Sequence, residues 1–351
     1  MRYLPFTHAS HFLKERDFGQ KIEASFDFIR AHFKPLGKAL LMIVLPTALL
    51  IGLASAVMAL EWFSNIQALQ SSAEAKNNPA AVMNSVVSDL LLSPAYAVIL
   101  FGSLVLLTTF VLTVYGYVTL RMDTAPDQEV TVSAVWQLVR QRFLGTALAL
   151  IGLGIGFGVV SLVVSMVGGL LSVLLVGVGS GNGVLRGFGV VLTLSLIFGA
   201  TTYVMVTLSL FLIIWVRERL GFFATIGRSF QLIWGKWWST FGLLMVMLII
   251  CMVLMFALML LTSLVSSPLA LIKSNGTLEG TARVGFILAN AISTLVSLVI
   301  YPLILLALAF QYFNLVERKE GESLHYLVDA IGQPAPESVP QALRPDDEGE
   351  Y

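Results

Sequence analysis

Charge is scarce in this sequence. Asp, Glu, Lys and Arg make up 12% of its 351 residues, while 57% are hydrophobic; ordinary soluble domains carry about 25% charged residues. A soluble fold of this composition would expose more contiguous apolar surface than a monomer tolerates. The few charges also balance, with 21 basic and 21 acidic groups, so no bulk field draws nucleic acid to the chain. There is one cysteine, Cys251, deep in an apolar run. That excludes an intrachain disulfide and leaves the redox compartment open. A short basic leader is missing too: fairly polar residues precede the first apolar run, so that run is expected to be an uncleaved anchor, not a signal peptide.

What the sequence has in abundance is long apolar runs. Several exceed the ~20 residues that cross a bilayer as helix. They are continuous, not alternating, which favours helices over an outer-membrane barrel. The expected fold is all-α and polytopic, with about six spans near 37–60, 93–120, 143–167, 187–215, 239–266 and 284–313. Pro46 inside the first span predicts a kink. The third run is the hardest to divide, because no charge occurs between Arg142 and Arg186. As one helix it would exceed ~60 Å, twice the bilayer core. It is therefore two spans, or one span plus a re-entrant or interfacial segment near 168–183. Basic residues decide between these. Lys76, Arg186, Lys273 and Arg283 fall in the three outer loops, and all but these four of the 21 Lys and Arg fall on the opposite side. Two full spans would carry Arg217, Arg219, Arg228 and Lys236 outside. The six-span reading puts both termini in the cytoplasm, with the protein in a bacterial inner membrane and 168–183 on the outer side.

One stretch occurs three times. It reads Ser25-Phe26-Asp27-Phe28-Ile29-Arg30-Ala31-His32-Phe33, then Val135-Trp136-Gln137-Leu138-Val139-Arg140-Gln141-Arg142-Phe143, then Ser229-Phe230-Gln231-Leu232-Ile233-Trp234-Gly235-Lys236-Trp237. Each copy precedes a long apolar run. Phe18, Ile22, Phe26, Ile29 and Phe33 share a helical face, as do Val132, Val135, Trp136, Val139 and Phe143, and Phe223, Ile226, Phe230, Ile233 and Trp237. Such helices suit the membrane surface, apolar face down, or packing on the protein's own spans, and both can hold along one helix. The expected membrane or partner contacts are Phe26, Ile29, Phe33, Trp136, Val139, Phe143, Phe230, Ile233 and Trp237. Arg30, Lys34, Arg140, Arg142, Arg228 and Lys236 are expected at headgroup level, with His32 in the basic slot of the first copy. The implied partners are membrane lipids, anionic headgroups included, and a protein partner of unknown kind. Each unit is then an interfacial helix plus a two-span hairpin, over about 17–120, 130–216 and 220–316. An even number of spans makes the copies parallel, and inverted repeats are one hallmark of alternating-access transporters. Residues 1–16 form a cytoplasmic segment and 17–332 the membrane domain. Leu324, Leu327, Val328 and Ile331 predict a last short helix, closed by Gly332 and Pro334. The Pro- and acid-rich tail 333–351 is expected to be disordered.

Little chemistry is visible. Gly152 with Gly156, and Gly154 with Gly158, are small-xxx-small pairs that favour close helix packing; without a strand-turn-helix context they are no dinucleotide fingerprint. Thr109, Thr113, Thr202, Tyr203 and Asn290 are candidates for a polar path, although interhelical packing and interface anchoring are the commoner roles. His8 and His11 can share a face, but no carboxylate or Cys stands at ligand spacing. No Asp, Glu, Lys or Arg lies mid-span, where proton relays place ionisable groups. No cofactor is implied. The expected function is a non-catalytic scaffold or lipid- and partner-organising factor; the alternatives are a transporter of a small or lipidic substrate and a membrane-embedded lipid enzyme.

Two stretches, ASFDFIRAHFKPLGKALL at 24–41 and ERLGFFATIGRSFQLIWGKWW at 218–238, resemble a broad group of bacterial membrane proteins. It includes the YciC-like proteins and the membrane domain attached to some glycerophosphodiester phosphodiesterases. The ending LALAFQYFNLVERKEGESLHYLVDAIG at 306–332 looks like uncharacterised membrane proteins of Bacteroidetes. The resemblance covers about 17–332 and implies no catalytic residues. Where a phosphodiesterase is attached, the chemistry sits in a separate soluble domain, and this chain has no stretch of the ~100 residues a domain needs.

Overall fold

The computed structural model describes residues 6–71, 79–125, 127–178, 183–270 and 281–321, with some helical residues, Asn290 among them, described in backbone only. The expected terminal helix around Leu324 and the tail lie outside the described residues. Every regular element within them is helical. Six segments are long and apolar enough to cross a membrane: Phe18–Trp62, Pro94–Asp123, Val132–Leu174, Gly183–Arg217, Trp237–Leu261 and Ile287–Glu320.

The chain begins with α1 (Ala9–Phe12) and α2 (Phe18–Ala39). Pro35 lies inside α2; it has no N–H to donate and crowds the carbonyl four residues back. His32 accordingly leaves helical geometry (φ −110°, ψ 19°), and α2 kinks there. The disturbance expected at Pro46 takes another form. Leu40–Val44 is a π-helical turn just ahead of it, a local widening that absorbs a displaced hydrogen bond. α3 (Leu45–Ser71) and α4 (Pro79–Leu91) follow. α5 (Pro94–Asp123) starts at a Ser93 cap whose hydroxyl accepts from the Tyr96 amide at 3.2 Å.

The middle of the chain departs from expectation. α6 runs unbroken from Val132 to Val178, 47 residues, about 70 Å at 1.5 Å per residue. The second copy is therefore the first turns of a long helix rather than a separate element. Residues 168–178 continue that helix; 179–182 lie outside the described residues. The stretch 132–178 contains no proline, so no missing N–H interrupts the hydrogen-bond ladder.

α7 (Gly183–Leu208) and α8 (Phe211–Arg217) are separated at Ser209, whose hydroxyl donates to the Val206 carbonyl at 2.7 Å. α9 (Phe222–Ile233) and α10 (Trp237–Ala270) are separated by Gly235 at φ +81°. α11 (Thr281–Ile300) gives way to α12 (Pro302–Glu320), which begins with Pro302 where a missing N–H does no harm and ends at left-handed Gly321. The last helix thus reaches seven residues past the expected end at 313.

α3 packs on α5, α6 on α7, and α10 on α11 and α12; α5 against α6 and α3 against α11 join the pairs, whereas α7 and α10 meet over few residues. The closest approaches use glycine. A Cβ added at Gly168 would lie 2.5 Å from Ile197 of α7, and one at Gly52 would lie 2.6 Å from Thr294 of α11. The main core lies at one end of the helices. There α12 is buried from Leu306 to Val316, and Phe310 meets Phe6 at 5.3 Å and Phe28 at 6.2 Å. Burial of each such ring contributes roughly 1.5–3 kcal/mol.

Candidate functional site

The three copies present the same faces. At their first position Ser25, Val135 and Ser229 are fully buried. At the next, Phe26, Trp136 and Phe230 are 38%, 48% and 37% exposed. At the fourth, Phe28 and Leu232 are fully buried and Leu138 packs partly buried against the core; at the fifth, Val139 and Ile233 are buried and Ile29 packs against the core. Turning 100° per residue puts positions one, four and five on one side and the aromatic second position on another. α2 presents two different faces. Phe18, Phe26 and Phe33 point outward, while Lys21, Ser25, Phe28, His32 and Leu36 form the packed side.

Of the six basic residues expected at headgroup level, Arg30, Lys34, Arg140 and Lys236 are exposed, and among the described residues no carboxylate pairs with them. The other two hold protein groups. Arg142 donates to the carbonyls of Val216 and Trp215 at 2.9 and 3.3 Å, satisfying the open end of α8. Arg228 bridges Glu218 at 3.0 Å and Glu320 at 2.9 Å. Hydrogen bonding to Glu320, joined by the charge of Glu218, holds its guanidinium above the ordinary range against a smaller opposing effect of burial. Tyr312 donates to the same Glu218 at 2.9 Å, so α8, α9 and α12 are tied together through this carboxylate and its arginine.

His32, in the basic slot of the first copy, faces inward. It is buried, 3.1 Å from the Tyr117 hydroxyl, with its ring 4.7 Å from Phe28. The kink at Pro35 turns it inward. Lys21 is buried as well, donating to Ser239 at 3.4 Å. Gln311 donates to Thr240 at 2.9 Å, and Asn314 accepts the Arg16 amide at 2.7 Å. These polar groups in the packed end escape a reading that places polar residues outward. The usable signals were the four-three-four spacing of Lys21, Ser25, Phe28 and His32, and the polar pair Gln311 and Asn314 in an otherwise apolar run.

Two of the cavities beside the copies have matching walls. One, about 390 Å³, lies between α2, the π turn, α11 and α12, lined by Ile29, Phe33, Lys34, Lys38, Leu298 and Pro302 among others. The second, about 320 Å³, lies at the thin seam between α7 and α10 and is lined by Tyr203, Thr207, Phe230, Ile233, Trp234 and Trp237. Ile29 and Phe33 of the first copy stand at the positions of Ile233 and Trp237 in the third. Each cavity sits beside a break in its helix, at His32 or at Gly235. In the second copy α6 is unbroken; Val139 is buried and Phe143 half-buried.

The candidate polar path does not converge. Thr109 and Thr113 donate to carbonyls of their own helix, at 2.8 and 2.6 Å. They belong to α5, Thr202 and Tyr203 belong to α7, and α6 packs against both helices. Tyr203 instead stacks on Trp237 at 5.7 Å, and its carbonyl accepts the indole N–H at 3.3 Å. The side chain of Asn290 lies outside the described residues. The glycine pairs are only partly engaged. A Cβ at Gly152 would meet the Phe222 ring at 3.0 Å, but one at Gly154, Gly156 or Gly158 would have nothing within 4 Å among the described residues. The close helix approach falls at Gly168, outside the pattern. His8 and His11 lie edge to face at 5.5 Å, and among the described residues no three His, Cys, Asp or Glu side chains gather around one point. Comparison of the chain with family models, with curated proteins and with solved structures returned no match.

Proposed function

We propose that this multi-pass membrane protein is a non-catalytic lipid-organising factor of a bacterial inner membrane. In this reading three parallel units place their interfacial copies on the cytoplasmic side, with both termini, where the copies gather anionic lipid and present it to a partner. The observation that carries the proposal is the outward aromatic at the same position of all three copies, Phe26, Trp136 and Phe230, each followed within six residues by an exposed basic group, Arg30, Arg140 or Lys236, with no carboxylate paired to it among the described residues. Aromatic rings anchor at the headgroup level, and each basic group near an anionic surface adds about 1 kcal/mol of attraction. The orientation rests on the distribution of Lys and Arg along the chain.

The test replaces Phe26, Trp136 and Phe230 by Asp together. Reconstituted with fluorescent anionic and zwitterionic lipids, the wild type is expected to enrich the anionic lipid around itself and the triple variant to lose that enrichment. Equal enrichment in both proteins rejects the proposal.

A further inference from the structure

The cavity beside the first copy has a polar end and an apolar end. Lys34 and Lys38 lie one turn apart on α2, both exposed, with no carboxylate paired to either among the described residues. Beyond them the lining is aliphatic: Leu41 and Met42 after the kink, and Leu295 and Leu298 from α11. The kink at His32 and the π turn at Leu40–Val44 adjoin the groove, and Pro302, lacking an N–H, starts a new helix at its wall. The resulting volume of about 390 Å³ falls in the range of small-molecule sites, ~300–1,000 Å³. The charge lies where the polar helix meets the apolar span, and the aliphatic part lies on the span side. A free phosphate would leave the aliphatic end empty, and a neutral lipid would leave both ammonium groups without a counter-ion.

We infer that this groove is a specific site for one anionic phospholipid, with its phosphate between Lys34 and Lys38 and one acyl chain along Leu41, Leu295 and Leu298. The inference rests on the lipid-organising reading above and sharpens it from general attraction to a defined site. The groove at the third copy, walled by Trp234, Trp237 and Tyr203, has no comparable pair of lysines in its lining.

Native mass spectrometry of the full chain, titrated with phosphatidylglycerol or phosphatidylcholine, tests this. The wild type should retain one phosphatidylglycerol more tightly than any further lipid. Lys34→Ala with Lys38→Ala should weaken that first binding by roughly tenfold or more, as two surface cations near an anionic lipid would. Leu298→Trp, which fills the apolar end without changing charge, should weaken it too. Arg140→Ala with Lys236→Ala should thin the further, weaker lipids but weaken the first far less than the Lys34 and Lys38 variant does, and glycerol phosphate should not compete. Equal loss in the Arg140 and Lys236 variant overturns the groove while keeping the general attraction. A wild type without preference for phosphatidylglycerol overturns both. Retention of the first lipid by the Lys34 and Lys38 variant overturns the groove, as does competition by glycerol phosphate.

Discussion

The first and third copies break before entering their spans, and the second does not. Near-identical local patterns thus end in different backbones. In the first copy Pro35 cannot support the ladder, and the chain answers with a kink at His32 and a π turn. In the third, Gly235 takes a left-handed conformation and restarts the helix at Trp237. The second has neither device, and α6 passes straight through. The consequence lies in the space around the copy. Where the helix breaks, a cavity lies beside it, lined by Ile29 and Phe33 or by Ile233 and Trp237. Where it does not, Arg142 reaches across to the end of α8 and Val139 is buried. A repeated sequence element can therefore serve as a pocket wall twice and as a strut once.

Forcing the second junction to resemble the others should have the largest effect. Gln141→Pro, at an exposed position of α6, is expected to destabilise the protein by about 3 kcal/mol or more, read as a lowered thermal unfolding midpoint in detergent, while Gln141→Ala stays near the wild type. A prolyl variant as stable as the wild type would mean that α6 is not continuous there.

Making the third junction resemble the second comes next. Nothing lies within 4 Å of a Cβ at Gly235, so Gly235→Ala meets only the conformational penalty of a left-handed residue, about 1–2 kcal/mol. Gly235→Asn should lose less. An alanine variant with an unchanged midpoint would contradict the left-handed turn.

The smallest effect separates the glycine pattern from the real helix approach. Gly154→Ala faces open space and should be neutral or stabilising by up to about 1 kcal/mol through helix propensity. Gly168→Ala, pressed against Ile197, should move the midpoint downward. Equal and opposite results would restore Gly152, Gly154, Gly156 and Gly158 as the packing face.

The spans were legible because the length of an apolar run is set by the bilayer and little else. Their joints were partly legible. Proline marks a disturbance, yet Pro46 is absorbed by a π turn and Pro302 opens a new helix, because the neighbouring packing decides which remedy is used. The outward aromatics of the copies were legible as a periodic stripe. Their inward partners were not: Lys21, Ser25 and His32 read as polar, and the contacts of Lys21 with Ser239 and of His32 with Tyr117, with the Ser25 hydroxyl donating to the Lys21 carbonyl, make their burial tolerable. The glycine pairs were visible, but a small residue permits an approach without providing the neighbour. The cavities had no signal at all, since each is formed by helices distant in sequence.

The central claim is that all three copies lie on one side of the membrane. Cys251 is the only cysteine, so a Cys251→Ser background allows single probes at Glu23, Gln137, Gln231 and Arg186, all exposed. A membrane-impermeant maleimide applied to intact cells and then to inverted vesicles reads the side of each. The account predicts that Glu23→Cys, Gln137→Cys and Gln231→Cys react only in inverted vesicles, and Arg186→Cys only in intact cells. Reaction of Gln231→Cys from the side opposite to Glu23→Cys would contradict the parallel arrangement and the shared lipid-facing role built on it.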